Sequence, residues 1–152
     1  MQRLEFTTYV PGSLSAIWDF FSSPANLGNI TPPEMRFQIT SPDQDQMYEG
    51  MVISYRVSPM PMMRINWLTE ITHIRENIHF IDEQRIGPYN VWHHEHHFKE
   101  VDGGVEMKDI LIYSVPFGIL GRLVDVIMVR NKVKAIFSFR EQRIRELFPS
   151  SK

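Results

Sequence analysis

Residues 91–115 alternate so regularly that a β-hairpin is the economical way to fold them. The stretch Trp92-His93-His94-Glu95-His96-His97-Phe98 holds four of the six histidines in the chain. Strand side chains two apart share a face, so Trp92, His94, His96 and Phe98 lie on one side and His93, Glu95 and His97 on the other. Asp102-Gly103-Gly104 supplies a turn, and a second alternating run then sets Val105, Met107, Asp109, Leu111, Tyr113 and Val115 on a common face. A two-residue loop of Asp102 and Gly103 pairs Phe98 with Met107, His96 with Asp109, His94 with Leu111 and Trp92 with Tyr113. Moving that loop by one residue changes the partners by two positions but keeps both runs on the same face. With the two-residue loop, a histidine meets an aspartate on a mostly apolar surface.

At 152 residues, 43% hydrophobic and 12% aromatic, the chain is expected to form one domain, 1–152, with a sizeable core. A net charge of −2 and a pI near 6.3 give no basic field for nucleic acid, which is not expected as a partner. The absence of cysteine removes disulfides, thiol nucleophiles and thiolate metal sites together. The N-terminal Met1-Gln2-Arg3-Leu4-Glu5-Phe6 has no signal-peptide character, and no apolar run approaches the roughly 20 residues that span a bilayer. The expectation is a cytoplasmic protein without stable membrane insertion.

Along the chain, Gln2 to Val10 reads as an opening strand closed by Pro11-Gly12, and Ser13 caps a short helix carrying Ile17, Trp18, Phe20 and Phe21. Ser23-Pro24 starts a second short helix through Leu27 and Ile30, stopped by Pro32-Pro33. Strands follow at Met35–Thr40, Met51–Val57, Arg64–Ile74, Ile78–Arg85, Val91–Val101 and Val105–Val115, which together with the first make one antiparallel sheet. The connection Ser58-Pro59-Met60-Pro61-Met62-Met63 reads as a hairpin loop with packed methionines, or as an adaptable lip over a cavity. From Gly118 to Leu147 the period turns helical, with Ile119, Leu120, Leu123, Val124, Ile127, Met128, Ile136, Phe137, Ile144 and Leu147 as the apolar stripe. Arg122, Arg130, Lys132, Lys134, Arg140, Arg143 and Arg145, with Asp125, Glu141 and Glu146, read as its solvated face rather than a membrane-binding one.

This order resembles the START-like, or SRPBCC, superfamily, which includes birch-pollen-allergen-like (Bet v 1-like) proteins and bacterial polyketide cyclase/dehydratase relatives. The likeness to a bacterial ligand-binding branch rests on Phe80-Ile81-Asp82-Glu83-Gln84, Gly87-Pro88-Tyr89, Trp92-x-His94-x-His96-x-Phe98, Met107-x-Asp109, Tyr113-x-x-Pro116-x-Gly118-x-Leu120-Gly121 and Ile136-Phe137-Ser138-Phe139-Arg140. The resemblance implies an α+β helix-grip fold: a curved seven-stranded antiparallel sheet wrapped around a long C-terminal helix, two short helices after the first strand, and an internal cavity.

Parity proposes the cavity face. Trp67, Thr69 and Ile71 fall on one side of their strand, and Phe80, Asp82, Gln84 and Ile86 on one side of the next. A five-residue connection from Gly87 to Val91 then sets Gln84 opposite His94 and Asp82 opposite His96, aligning Asp82, His96 and Asp109 across three strands. Three roles fit this row. A buried histidine can simply be held by a carboxylate. His96 can be a general acid/base whose tautomer Asp109 or Asp82 fixes, which suits cyclase, dehydratase or isomerase chemistry. His94 and His96, about 7 Å apart along a strand, can converge on zinc or iron with a carboxylate. No Gly-x-Ser-x-Gly elbow or glycine-rich phosphate loop supports covalent or nucleotide chemistry. The reading adopted is a binding module for a small hydrophobic ligand, without metal or cofactor. Trp67, Trp92, Phe98, Leu111 and Tyr113 supply contact area, Thr69, Gln84, His94, His96 and Asp109 orient a polar group, and the alternative is an enzyme using His96 with Asp109 or Asp82.

Overall fold

The computed structural model describes residues 1–41, 45–119, 121 and 125–149. Strand β1 (Gln2–Pro11) turns Leu4, Phe6, Thr8 and Val10 inward and leaves Arg3, Glu5, Thr7 and Tyr9 exposed. Gly12, at φ 128°, ends it in a conformation that suits glycine. Helix α1 (Leu14–Phe21) is capped by Ser13, whose Oγ accepts from the Ala16 N–H at 3.3 Å, and it buries Ile17, Trp18 and Phe21. The second short helix is a 3-10 helix, Pro24–Ile30. Asn26 sends its side-chain amide back to the Phe20 carbonyl at 3.1 Å, the local competition that keeps asparagine out of α-helix interiors.

A further 3-10 turn, Pro33–Met35, ends at Arg36 with φ 46°. That left-handed residue interrupts the strand expected over Met35–Thr40, which shortens to β2 (Gln38–Ile39). Strands β3 (Val52–Val57), β4 (Ile65–Arg75), β5 (His79–Ile86), β6 (Val91–Val101) and β7 (Gly104–Ser114) complete a seven-stranded antiparallel sheet in the order β1-β7-β6-β5-β4-β3-β2. The β6–β7 pairs are those expected: Trp92 with Tyr113, His94 with Leu111, His96 with Asp109 and Phe98 with Met107.

The β5–β6 register differs by two residues from expectation, because Asp82 pairs with His94 and Phe80 with His96. The end of β5 stays with β4, where Thr69 faces Gln84 and Leu68 faces Ile86. The Gln84 amide meanwhile clasps the loop, donating to the Tyr89 carbonyl at 2.7 Å and accepting from the Tyr89 N–H at 3.3 Å. Register shifts between Leu68 and Thr69 and between Ile71 and His73 bend β4, as bulges do, and help curve the sheet.

Helical backbone is present at Gly118, Ile119 and Gly121; a turn of π-helix, Asp125–Val129, then leads into α2 (Arg130–Leu147). Leu120, Arg122, Leu123 and Val124 lie outside the described residues. The uniform apolar stripe does not hold: Val133, Phe137 and Ile144 are buried, while Ile119, Ile127, Met128 and Leu147 are exposed. A π turn takes more residues than an α turn, which puts positions before Arg130 out of phase with those after it. Arg143 and Arg145 pair with Glu146 and Glu141 on the outer side of α2. Among the described residues, no helix is long and apolar enough to cross a membrane.

The interior has two unlike ends. Between α1, β6, β7 and the end of α2, a dry core joins Trp18, Phe21, Phe98, Val105, Met107 and Ile144. Trp18 meets Phe98 edge-on at 5.3 Å. Toward the other end of the sheet the packing opens into a cavity.

Candidate functional site

The cavity lies between the inner face of the sheet and α2, with a volume of about 560 Å³. Trp67 on β4, Trp92 on β6 and Tyr89 in the β5–β6 loop form an aromatic wall, with ring centroids 4.8–5.7 Å apart. Thr69 Oγ1 accepts from Trp67 Nε1 at 3.1 Å and lies 2.8 Å from the Tyr55 hydroxyl. Burial, followed by the charge of Asp82, pushes the Tyr55 phenol far above its ordinary value, and burial carries Tyr89 up to about 12. Both stay neutral hydroxyls at any physiological pH. Pro59 and Met60 belong to the cavity wall, whereas Met62 is fully exposed.

One stretch of this oily wall is polar. Strand alternation sends Asp82, His94, His96 and Asp109 inward from three adjacent strands, and the observed register makes them meet diagonally. Asp82 Oδ2 is 2.8 Å from His96 Nε2 and 3.4 Å from His94 Nδ1. Asp109 Oδ1 is 3.0 Å from His94 Nε2 and 2.9 Å from His96 Nδ1. Each imidazole thus touches both carboxylates, and the two rings lie 3.8 Å apart. His96 also stacks on Phe80 at 4.2 Å. Arg140 brings its guanidinium to 3.8 Å from Asp109 Oδ1 and lies over the Phe21 and Phe137 rings.

Charge follows from this geometry. Burial alone would lower the pKa of His94, but the hydrogen bonds to Asp109 and Asp82, with their charges, outweigh it and raise it to about 9. Burial would raise both aspartates. Hydrogen bonds from His94 and His96 instead hold Asp82 far below the carboxylate range. The Arg140 charge, then the same two histidines, hold Asp109 well below it. The cluster is a compact ion-pair array facing an apolar space. His96 Nδ1 and Arg140 Nε are buried without an aligned hydrogen-bond partner, so its polar capacity is not exhausted.

Of the residues singled out from sequence, Trp67, Thr69, Asp82, Trp92, His94 and His96 border the cavity. Asp109 stands behind them, 1% exposed, holding both histidines. The others serve elsewhere. Phe98 lies in the dry core under Trp18, Gln84 clasps its loop, and Ile86 at the strand end is exposed. Leu111 packs with Val133 and Phe137. Tyr113 donates to Asp125 Oδ1 at 2.7 Å, fastening β7 to the π turn. Arg140 and Asp125, assigned to a solvated face, are turned inward. The signal for Arg140 was its spacing, three residues after Phe137 and four before Ile144, which puts it on the buried stripe. Tyr89, in a loop, had no periodicity to reveal it.

Behind the cluster, a smaller and more polar space of about 280 Å³ lies between β1 and α2, bordered by Glu5, Thr7, Thr8, Ser138 and Glu141. Phe137 and Arg140 border both spaces.

No protein-family model and no curated protein sequence matches the chain. Solved structures do. Protein Ms6760 from Mycobacterium smegmatis is 19% identical over 95% of this chain and 89% of its own, with a TM-score of 0.70. Protein CV1439 from Chromobacterium violaceum is 8% identical over 99% and 100%, with a TM-score of 0.75. Ara h 8.0201 is 14% identical over 95% and 98%, with a TM-score of 0.60. Such likeness at low identity establishes the fold, a helix-grip architecture, and leaves the chemistry to this chain's own side chains.

Proposed function

We infer that the protein binds a small, largely hydrophobic molecule between the curved sheet and α2, with the ligand's polar end against the Asp82–His94–His96 cluster. The observation that carries this is the combination of a cavity of about 560 Å³ with an aromatic wall and a convergent group of buried ionisable side chains. Small-molecule sites are typically concave, mostly apolar and oriented by a few placed polar groups. Trp67, Tyr89 and Trp92 offer area, and burial of apolar surface contributes about 25 cal/mol per Å² before ordering costs. Tyr55 and Thr69 already satisfy each other, so the free polar valence lies at the cluster.

Native mass spectrometry of the purified protein, followed by denaturing extraction, identifies any bound molecule. Titration with the apolar fluorophore N-phenyl-1-naphthylamine tests the site without knowing its ligand. Saturable binding of the dye that Trp67→Ala weakens by about tenfold or more is the expected result. A bare chain that also fails to take up the dye refutes the reading.

A further inference from the structure

We propose that Asp82, His94 and His96 form a site for a divalent transition-metal ion of the zinc type, opening on the cavity. One ligand atom from each of these residues lies within 4.8 Å of the others. In a tetrahedral zinc site with bonds near 2.0 Å, neighbouring ligand atoms stand about 3.3 Å apart. The 2.8 Å from Asp82 Oδ2 to His96 Nε2 and the 3.4 Å to His94 Nδ1 bracket that separation. Three donors of the kind zinc prefers are therefore already gathered about one point, on strands rather than on loops.

The far side of each ring strengthens the assignment. A metal-ligating histidine almost always donates its other ring N–H to a carboxylate, carbonyl or water, which fixes the tautomer and aims the coordinating nitrogen. Here Asp109 Oδ1 holds the far nitrogen of His94, Nε2, in a hydrogen bond of 3.0 Å and lies 2.9 Å from the far nitrogen of His96, Nδ1, without an aligned hydrogen bond to it. Asp109 is itself 1% exposed and faces Arg140. Asp82, His94 and His96 border the cavity and Asp109 does not, so the remaining coordination position faces the space where a small molecule fits.

The outer face of β6 offers a control built into the same strand. His93 and His97 each touch Glu95, at 3.3 and 2.7 Å, but they are partly exposed and, among the described residues, the carboxylates they touch, Glu83 and Glu95, are partly exposed too. The proposal concerns the metal alone and does not depend on any apolar molecule filling the cavity.

The test uses the full chain, stripped with chelator and desalted, and titrated with zinc by calorimetry, with metal content measured after gel filtration. One zinc per chain is expected. Cobalt in its place is expected to give the visible absorption of a tetrahedral nitrogen and oxygen site. His96→Gln and Asp82→Asn, each checked for folding by circular dichroism, are expected to lose at least a hundredfold in affinity, and Asp109→Asn about 10–100-fold as a positioning residue. His97→Gln is expected to bind as the unaltered chain does. Nitrogen-resolved imidazole spectra of the unaltered protein keep the question open to refutation even if a variant misfolds, since zinc should move the His94 and His96 resonances and not those of His93 and His97. Absence of stoichiometric uptake overturns the site, as does uptake that His97→Gln abolishes and His96→Gln leaves intact.

Discussion

The two faces of β6 carry the same residue type to opposite ends. His94 and His96 point inward, 5% and 3% exposed, and are held by two carboxylates with an arginine behind them. His93 and His97, one residue away, keep side chains 28% and 39% exposed and lean on Glu83 and Glu95. Composition is similar on both sides; what differs is water. An exposed ion pair is screened and contributes about 0–1 kcal/mol. Removing one partner of a buried pair strands the other in a poor solvent. The pleat alone therefore converts one histidine-rich sequence into a rigid internal cluster on one side and a solvated surface on the other.

Asp109 carries the largest part of the difference between the two faces. Replacing it with alanine leaves Arg140 and both inner histidines without their shared acceptor, and the unfolding free energy in urea should fall by about 3–5 kcal/mol. A loss comparable to that of a surface site would show that the inner cluster is not the buried array described.

Titration sharpens the contrast, because the two faces should respond to pH with opposite sign. In metal-free protein His94 is raised to about 9, against about 6.5 in an unfolded chain. Its contribution to stability is complete below about pH 6.5 and is lost as pH climbs toward 9. On the outer face His79 is lowered by burial and then by the neighbouring His97. Its contribution is present above about pH 6.5 and lost as pH falls. Thermal melts across pH should show His94→Gln flattening the alkaline limb and His79→Gln the acid one; an unaltered alkaline limb in His94→Gln would contradict the assignment.

The smallest effect is expected at Glu95, which bridges His93 and His97. Glu95→Gln should cost less than about 1 kcal/mol, and less still at high salt. A larger loss would mean the outer face is more closely built than its exposure suggests.

How much of this was legible depends on what fixes each feature. The β6–β7 register was readable because alternation and a two-residue loop leave little freedom, so the facing of Trp92, His94, His96 and Phe98 followed directly. The β5–β6 register was not, since it turns on one side chain, Gln84, binding its own loop backbone. That two-residue difference is also what brings His94 into the cluster as fully as His96. Polarity is a poor guide to the facing of Arg140 and Asp125, because each turns inward to a specific partner, Asp109 and Tyr113. The π turn, which has no compositional signature here, put the early part of the helical stripe out of phase.

Phe137 acts as a partition. It stacks on Phe6 with ring centroids 3.9 Å apart and borders both the oily cavity and the polar space behind Asp109. Arg140 borders both as well. The Phe137 ring is in this sense a floor common to two rooms, and trimming it to a methyl group would take wall from both at once.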